Sequence, residues 1–288
     1  MFDERKKQTK CFVGGEIAEW RKEQIREDVC RELPVRFAVG DKNYCLLHAP
    51  TVEKAEEFSR ELEMRLKADD FDHRGVYFPQ KFEYYGKSVD KNVDLSYAYF
   101  ADGADFKYCN FNGEFEAANV RFAGVCDLEK ANFKKRASFS SAVFEGNLLL
   151  HDAKFEHVAD FIGARFGNDF FASKTEFHSH AYFNETQFKG ETSFEEAKFN
   201  YNAVFQQAQF HDTVSFMCAR LGFLDCRNAV FATDADFTST NVLTGVNFHG
   251  AKSAHLIKFD FSRFPFEIDE VKDCFNAGLN VSLEDIMT

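Results

Sequence analysis

The side chains of this chain that could do chemistry are chiefly its eight cysteines and nine histidines. Cys45 and His48 lie three residues apart, and they are the only features that favour an enzyme in the N-terminal region. His178 and His180 flank Ser179, where we expect an exposed polar turn. No P-loop, GxGxxG, GxSxG or HExxH motif occurs. We therefore expect no catalytic site and no enzymatic activity.

The composition indicates a repeat, because the chain contains 37 phenylalanines but only one tryptophan and four prolines. The cysteines are widely spaced, so a disulfide scaffold is not expected. No run of 18 apolar residues exists, and the charged opening lacks the apolar core of a signal peptide, so we expect neither a membrane span nor membrane binding. The expected compartment is the cytoplasm.

Phenylalanine recurs every eleven residues, and a second series of large or apolar centres follows six residues after each member of the first. The first series is Phe100, Phe111, Phe122, Phe133, Phe144, Phe155, Phe166, Phe177, Phe188, Phe199 and Phe210. A small apolar residue usually lies two positions before each centre, as Ala98 does before Phe100. Alternation of this kind is typical of a very short strand facing a core. A helical eleven-residue repeat is excluded because centres five or six residues apart fall on opposite sides of a helix.

Turn residues follow many centres at the longer, six-residue steps. They include Gly113, Gly124, Gly146, Asn168, Gly190 and Asp212. Because glycine, asparagine and aspartate tolerate positive φ, we expect these positions to form left-handed corners. The steps shorten to five between Phe216 and Phe231, which predicts a local change in outline. In this segment, residues Gly222 to Arg227 are a candidate bulge or recognition site. The alternative is a tolerated deletion without function.

Segments such as ANFKKRASFSSAVF (131–144) and AKFNYNAVFQQAQF (197–210) resemble the A(D/N)LXX pentapeptide-repeat family in its phenylalanine-centred form. The resemblance implies an all-β solenoid, a right-handed quadrilateral β-helix. Steps of five and six residues around four faces correspond to a coil of 22 residues. We assign residues 1–75 to a helical N-terminal capping region, 76–264 to the β-helix and 265–288 to a helical C-terminal cap.

Helical patterns occur at both ends of the chain. Residues 15–33 and a segment after Thr51, a plausible N-cap, have apolar residues at helical spacing. Residues 264–278 predict a short helix closed by Gly278. We expect that helix to cover the last coil, although in some family members such a tail mediates dimerisation, so a homodimer is the alternative.

The stretches YCLLHAP and DFDHRGVYFP are similar to the region that precedes some bacterial repeats of this type. In those relatives a C-x-x-H pair follows earlier cysteines in an arrangement that resembles a zinc site. Cys45 and His48 match the pair, and Cys30 or Cys11 would add to it, but no compact second C-x-x-C is present. Cys30, Cys45 and His48 are thus candidate metal ligands, and ordinary packing of a buried thiol and imidazole is the alternative. No cofactor other than this candidate zinc is expected.

Two functions follow from these expectations. The first is a rigid scaffold that binds a protein partner, and the second is a mimic of DNA that binds a type II topoisomerase, as some family members do. The net charge of −12 disfavours direct binding to nucleic acid. A mimic needs aligned acidic groups, whereas residues 93–250 contain 21 acidic and 13 basic side chains, with basic residues at 134–136. The scaffold is therefore the leading hypothesis.

Overall fold

A computed structural model of the chain describes residues 11, 30, 33–259 and 280–282. The described chain begins with an antiparallel hairpin of β1 (Val35–Val39) and β2 (Lys42–Cys45). A 3₁₀ turn, Val52–Lys54, leads directly into helix α1 (Ala55–Lys67). The Thr51 hydroxyl accepts a hydrogen bond from the backbone N–H of Glu53, which confirms this residue as the N-cap.

The rest of the described chain is a parallel β-solenoid with four faces, and its strands pair with those of the coils before and after. Face 1 contains β3 (Tyr77–Phe78), β7 (Tyr99–Phe100), β11 (Arg121–Phe122), β15 (Val143–Phe144), β19 (Arg165–Phe166), β23 (Gln187–Phe188), β26 (Gln209–Phe210), β29 (Val230–Phe231) and β32 (Lys252–Ser253). Face 2 contains β4 (Phe82–Glu83), β8 (Ala104–Asp105), β12 (Cys126–Asp127), β16 (Leu148–Leu149), β20 (Phe170–Phe171), β24 (Thr192–Ser193), β27 (Val214–Ser215), β30 (Ala235–Phe237), β33 (Leu256–Phe259) and β34 (Asn280–Ser282).

Faces 3 and 4 are separate in the first coils and join in the later ones. Face 3 begins with β5 (Ser88–Val89), β9 (Asn110–Phe111), β13 (Asn132–Phe133), β17 (Lys154–Phe155) and β21 (Glu176–Phe177). Face 4 begins with β6 (Val93–Asp94), β10 (Phe115–Glu116), β14 (Ala137–Ser138), β18 (Ala159–Asp160) and β22 (Ala181–Tyr182). Three longer strands then run through both faces: β25 (Lys198–Val204), β28 (Arg220–Asp225) and β31 (Asn241–Asn247).

The predicted 22-residue coil is confirmed by the register, in which Phe100 is opposite Phe122 and Phe111 is opposite Phe133. The phenylalanines of face 1 form one stack and those of face 3 form another on the opposite wall. Ring centroids of Phe100 and Phe122 are 4.5 Å apart, and those of Phe133 and Phe155 are 4.7 Å apart. Each fully buried phenylalanine contributes on the order of 1.5–3 kcal/mol. Phenylalanines of faces 2 and 4 form further stacks, such as Phe161 on Phe183 at 4.9 Å between ring centroids. Together these ring stacks form the core that holds the coils together.

The prediction of positive φ is wrong for the six residues that it named, which are Gly113, Gly124, Gly146, Asn168, Gly190 and Asp212. Positive φ occurs instead after the second series of centres, at residues such as Tyr108, Lys130 and Glu185. The glycines are needed because the backbones of successive coils approach closely. A Cβ on Gly113 would lie 2.3 Å from the carbonyl oxygen of Lys91, so no larger residue fits there.

The predicted change in outline between Phe216 and Phe231 is confirmed. The corner of β28 has lost one residue relative to β25, and the pairing shifts register between Phe199 and Asn202. The chain crosses this corner as a continuous strand instead of a turn. Through β25, β28 and β31, faces 3 and 4 form one sheet here.

The ends of the chain were predicted least well. The hairpin β1–β2 lies in a region for which we predicted only helices, while the predicted helix after Thr51 is confirmed as α1. Most of the predicted helix at 15–33 and of the cap at 265–288 lies outside the described residues. Of that cap, residues 280–282 form a strand that extends face 2. No helix in the described part of the chain has the length and apolar character needed to cross a bilayer.

Candidate metal centre

Four side chains converge beneath the N-terminal hairpin: Cys11, Cys30, Cys45 and His48. Their sulfur and imidazole nitrogen atoms all lie within 4.8 Å of one another, and all four residues are buried. The imidazole Nδ1 of His48 is 3.1 Å from Sγ of Cys45 and 3.5 Å from Sγ of both other cysteines. The cluster is the only group of this kind among the described residues.

Local backbone geometry explains why Cys45 and His48 face the same point. Cys45 ends β2, and its carbonyl oxygen accepts hydrogen bonds from the backbone N–H groups of His48 and Ala49. This tight turn brings side chains three residues apart to one side. The backbone N–H of Cys45 also donates to Sγ of Cys11 over 3.4 Å, a contact that holds the earlier cysteine against the hairpin.

The donor set fits a tetrahedral zinc ion. With Zn–S near 2.3 Å and Zn–N near 2.1 Å, tetrahedral geometry requires the ligand atoms to be roughly 3.6–3.8 Å apart. The observed separations between Nδ1 of His48 and the three sulfurs are within about 0.7 Å of that value. Three thiolates and one imidazole are a common ligand set for structural zinc, and they leave no coordination position open to a substrate.

The remaining nitrogen of His48 is held by the solenoid. Nε2 lies 3.2 Å from the backbone carbonyl oxygen of Arg74, to which it can donate a hydrogen bond. With a metal bound, that bond would keep the proton on Nε2 and leave the lone pair of Nδ1 for the metal, as metal-binding histidines require. Arg74 itself is anchored because its Nε donates to the carboxylate of Asp72 at 2.7 Å.

Burial makes the cluster electrostatically costly without a cation. Hydrogen bonding with Cys11 and Cys45, together with burial, raises the pKa of the Cys30 thiol far above its ordinary value. Burial lowers the pKa of His48, but hydrogen bonds with Cys11 and Cys45 outweigh it and raise the pKa to about 9. These groups hold protons in one another's presence, and a divalent cation would replace them.

Lys54 is a buried cation whose charge interacts with Cys45 and Cys11, and it fits a zinc–thiolate centre. Its side chain is 1% exposed, and Nζ donates to the carbonyl oxygens of Leu46 and Leu47 at 2.8 and 2.7 Å. Burial lowers the pKa of Lys54 to about 7, while the charges of Cys45 and Cys11 act in the opposite direction. Zinc with three thiolates carries one net negative charge, which the ammonium group of Lys54 would offset.

The centre connects the cap to the first coil. The backbone N–H of Tyr77, the first residue of β3, donates to the carbonyl oxygen of Leu47 in the turn between the two ligands. Phe58 of α1 packs edge-on against Phe78 at 5.5 Å, so the helix covers the first ring of the face 1 stack. The cap is thus joined to the solenoid by backbone, aromatic and ligand contacts.

The structure brings all three predicted ligands, Cys30, Cys45 and His48, into one cluster. Sequence reasoning left Cys11 open as a substitute for Cys30, whereas both belong to it. Nothing in the sequence pattern identified Lys54, because a lysine after an N-cap is ordinarily exposed. Only the hairpin, which was not predicted, brings the N-terminal cysteines within reach of the C-x-x-H turn.

Two other cysteines and the pair His178 and His180 belong to no further cluster of this kind among the described residues. Cys109 and Cys126 are buried small residues of the core, and burial raises the pKa of Cys109 to about 11, which disfavours a nucleophilic thiolate. His178 is exposed and lies 3.1 Å from Glu176, while His180 is half-buried beside Tyr182.

Comparison with known proteins agrees with this architecture. The profile of the family described as pentapeptide repeats, in nine copies, matches residues 95–143, 139–187 and 172–216. No curated protein matches the chain in sequence. The matched residues are those whose short parallel strands stack phenylalanines at a 22-residue interval. Residues 95–216 of the chain are therefore a pentapeptide-repeat region of this family.

Proposed function

We propose that this chain is a non-enzymatic protein-interaction scaffold whose N-terminal cap is held by one structural zinc ion. The observation that carries the proposal is the closed, buried set of three sulfurs and one imidazole nitrogen. A catalytic zinc site keeps one position open for water or substrate, and this set supplies all four ligands itself. The metal would act as a cross-link between the N-terminal cysteines and the turn at Cys45.

Ligand chemistry favours zinc over other metals. Soft thiolate ligands with one imidazole in a tetrahedral arrangement suit Zn²⁺, whereas calcium and magnesium need oxygen ligands. The cysteines of the cluster are free thiols. A reducing cytoplasm would keep them available to the metal.

Metal content tests the zinc site directly. We expect about one zinc per chain, measured by inductively coupled plasma mass spectrometry on full-length protein purified under reducing conditions. Cys45→Ser and His48→Ala should lose the metal. Cys218→Ser is the matched control, because that cysteine is exposed and far from the cluster along the solenoid. Folded wild-type protein without bound metal, or His48→Ala with full zinc content, would contradict the site.

The solenoid supports the scaffold function because its described surface consists of regular rows of side chains around a filled core. Its largest residues lie inside, and the outward side chains repeat once per coil along rigid strands. Affinity capture from the source organism, followed by reconstitution with the purified partner, tests this function. A saturable complex of defined stoichiometry is expected. Turnover of a small molecule by the purified chain would overturn it.

The pairing of its acidic groups makes the solenoid a poor DNA mimic. Arg136 lies between Glu116 and Asp160, with nitrogen to oxygen distances of 3.5 and 2.7 Å. Several aspartates also accept hydrogen bonds from backbone N–H groups two residues later. These are Asp94, Asp105, Asp127, Asp160, Asp225 and Asp236. These backbone bonds hold the aspartates in the turns, and the carboxylates that pair with Arg136 offer less unpaired charge to a DNA-binding groove, which supports a scaffold over a mimic.

A homodimer through the tail at 265–288 is the alternative to a cap, and most of this tail lies outside the described residues. Light scattering on intact and tail-truncated protein tests it. A dimer that becomes a monomer on truncation would assign the tail to self-association and leave the solenoid surface for other partners.

A further inference from the structure

The corner between faces 3 and 4 differs from the other corners in its later coils. Here β25, β28 and β31 continue through the bend. The missing residue in β28 places Gly222 against the preceding coil, where a Cβ would lie 2.4 Å from the carbonyl oxygen of Tyr201. The Thr244 hydroxyl donates to the carbonyl oxygen of Gly222 at 2.8 Å, which ties the next strand to it. The surface is therefore a rigid strip of sheet.

Apolar and aromatic side chains line this strip in four successive coils. We call the set His180, Tyr182, Tyr201, Phe223 and Leu243 the aromatic corner. The ring centroid of His180 lies 5.9 Å from that of Tyr182 and 5.5 Å from that of Tyr201. Tyr201 is 56% exposed and Leu243 is 42% exposed, while Phe223 follows in the intervening coil. Tyrosines held rigidly at a surface are frequent centres of binding energy in protein interfaces.

The row of side chains beside the aromatic corner is cationic, although the whole chain carries a net charge of −12. On face 3 this row consists of Lys154, Glu176, Lys198 and Arg220 in consecutive coils. The carboxylate of Glu176 is shared between the two lysines. Its oxygens lie 3.6 Å from Nζ of Lys154 and 2.8 Å from Nζ of Lys198. Arg220 is exposed and forms no ion pair within the described part of the chain. One cation of the row thus lacks a carboxylate, and the other two share one.

The carboxylate on the other side of the aromatic corner is already occupied. Asp225 is 6% exposed, and its Oδ2 accepts hydrogen bonds from Arg227 and Gln206, each at 2.8 Å. It adds no unpaired negative charge to the surface. The aromatic corner is therefore an apolar strip with a positive border along face 3.

We propose that the aromatic corner binds an acidic, extended segment of a partner protein. An aliphatic or aromatic side chain of that segment packs on Tyr201 and Phe223, and its carboxylates pair with Arg220 and Lys198. Charge complementarity selects this partner, because a basic segment would meet the same cations. The strip spans three coil steps of about 4.8 Å, which equals the length of roughly four residues of extended peptide. The inference rests on the scaffold function and names the chemistry of its partner.

The test uses the full-length protein and a displayed library of random peptides about 12 residues long, which exceeds the footprint of roughly four residues. Enriched peptides are synthesised, and their affinities are measured by fluorescence anisotropy. The site variants are Tyr201→Ser and Arg220→Glu. Tyr85→Ser is a matched control, because Tyr85 is 57% exposed at another corner. Arg165→Glu is the second control, because Arg165 is an exposed outward residue of β19 on face 1.

We expect the enriched peptides to be acidic with at least one large apolar residue. Each site variant should weaken their binding about tenfold or more, which corresponds to about 1.4 kcal/mol, whereas the controls should change it less than about twofold. Affinity should fall as salt rises, because the charged contacts are exposed. Melting temperatures of all four variants should remain close to that of the wild type, since each substituted side chain is exposed.

Other outcomes overturn the inference. Enriched peptides that are neutral or basic, equal effects of site and control variants, or no enrichment at all would each do so. Duplex DNA whose binding depends on Arg220 would also overturn it and assign the cations to nucleic acid. If a reconstituted native partner binds unchanged to Tyr201→Ser and Arg220→Glu, the scaffold function stands and only this site is wrong.

Discussion

The imidazole Nε2 of His48 lies 3.2 Å from the backbone carbonyl oxygen of Arg74, a hydrogen bond that joins the metal-binding cluster to the start of the solenoid. Arg74 precedes the first strand of face 1, and its neighbour His73 donates its backbone N–H to the carbonyl oxygen of Asp94 in the next coil. The orientation of a metal ligand and the first coil therefore depend on each other.

Removal of the metal should open the cap before it unfolds the solenoid. We expect chelation to make residues 33–70 sensitive to protease while the β-sheet signal in circular dichroism remains, because the phenylalanine stacks do not include the cap. At free zinc about 1,000 times the dissociation constant, binding adds about 4.1 kcal/mol to the stability of the cap. Cys218→Ser should respond to chelation as the wild type does. A single transition that includes the whole solenoid would contradict separate opening.

Phe183→Ala should destabilise the solenoid by roughly 3–5 kcal/mol, because it leaves a cavity in a layer of large rings. The ring of Phe183 stacks on Phe161 at 4.9 Å and on Phe205 at 4.8 Å, so its neighbours cannot collapse readily. Chemical denaturation with a circular dichroism readout measures the loss. Lys189→Ala, on the exposed surface, is the control. Similar midpoints for the two variants would contradict the interior position of Phe183.

Gly113→Ala should cost more stability than Gly86→Ala. The Cβ on residue 113 would meet the backbone of Lys91 at 2.3 Å, while a Cβ on residue 86 has no neighbour within 4 Å. Gly86 has a φ of +66°, so its substitution costs about 1–2 kcal/mol of backbone strain alone. Midpoints of denaturant unfolding compare the two. If Gly86→Ala is the more destabilising variant, then backbone angle rather than close approach decides which corners need glycine.

Glu176→Gln should reduce stability at neutral pH but not in strong acid. A hydrogen bond from Lys198, followed by one from His178, lowers the pKa of Glu176 to about 2. A carboxyl whose pKa is lower in the folded state adds stability above its unfolded pKa near 4.5 and loses it as pH falls through 2. The difference between variant and wild type should therefore shrink across this range. Denaturant melts at several pH values measure it, and a difference that is constant with pH would contradict the ion pair.

The purified protein should not inhibit DNA gyrase in a supercoiling assay. Duplex DNA carries about one charge per 1.7 Å of its axis, and a mimic must approach that density along one line. In this chain acidic residues of face 4 form ion pairs with arginines, as Glu116 and Asp160 do with Arg136. Half-maximal inhibition at low micromolar concentration would restore the mimic as the leading function.

The repeat could be predicted because one large apolar residue at a fixed interval indicates a core position that recurs in every coil. Phe100 and Phe122 are 22 residues apart in the chain and opposite each other in the sheet. The single deletion near Gly222 was also visible as a shortened step, since each coil must close on the same four faces. In such a solenoid, neighbouring coils contact each other through local, regular offsets.

The tertiary structure alone decided which contacts form between coils and across the cap. Glycine at position 113 could be explained equally by backbone angle or by close approach, and only the position of Lys91 in the preceding coil shows that space is the reason. Likewise, no spacing rule joins Cys11 and Cys30 to Cys45 and His48. The hairpin and its tight turn bring the four side chains together, because ligand geometry depends on distances through space that sequence offsets do not encode.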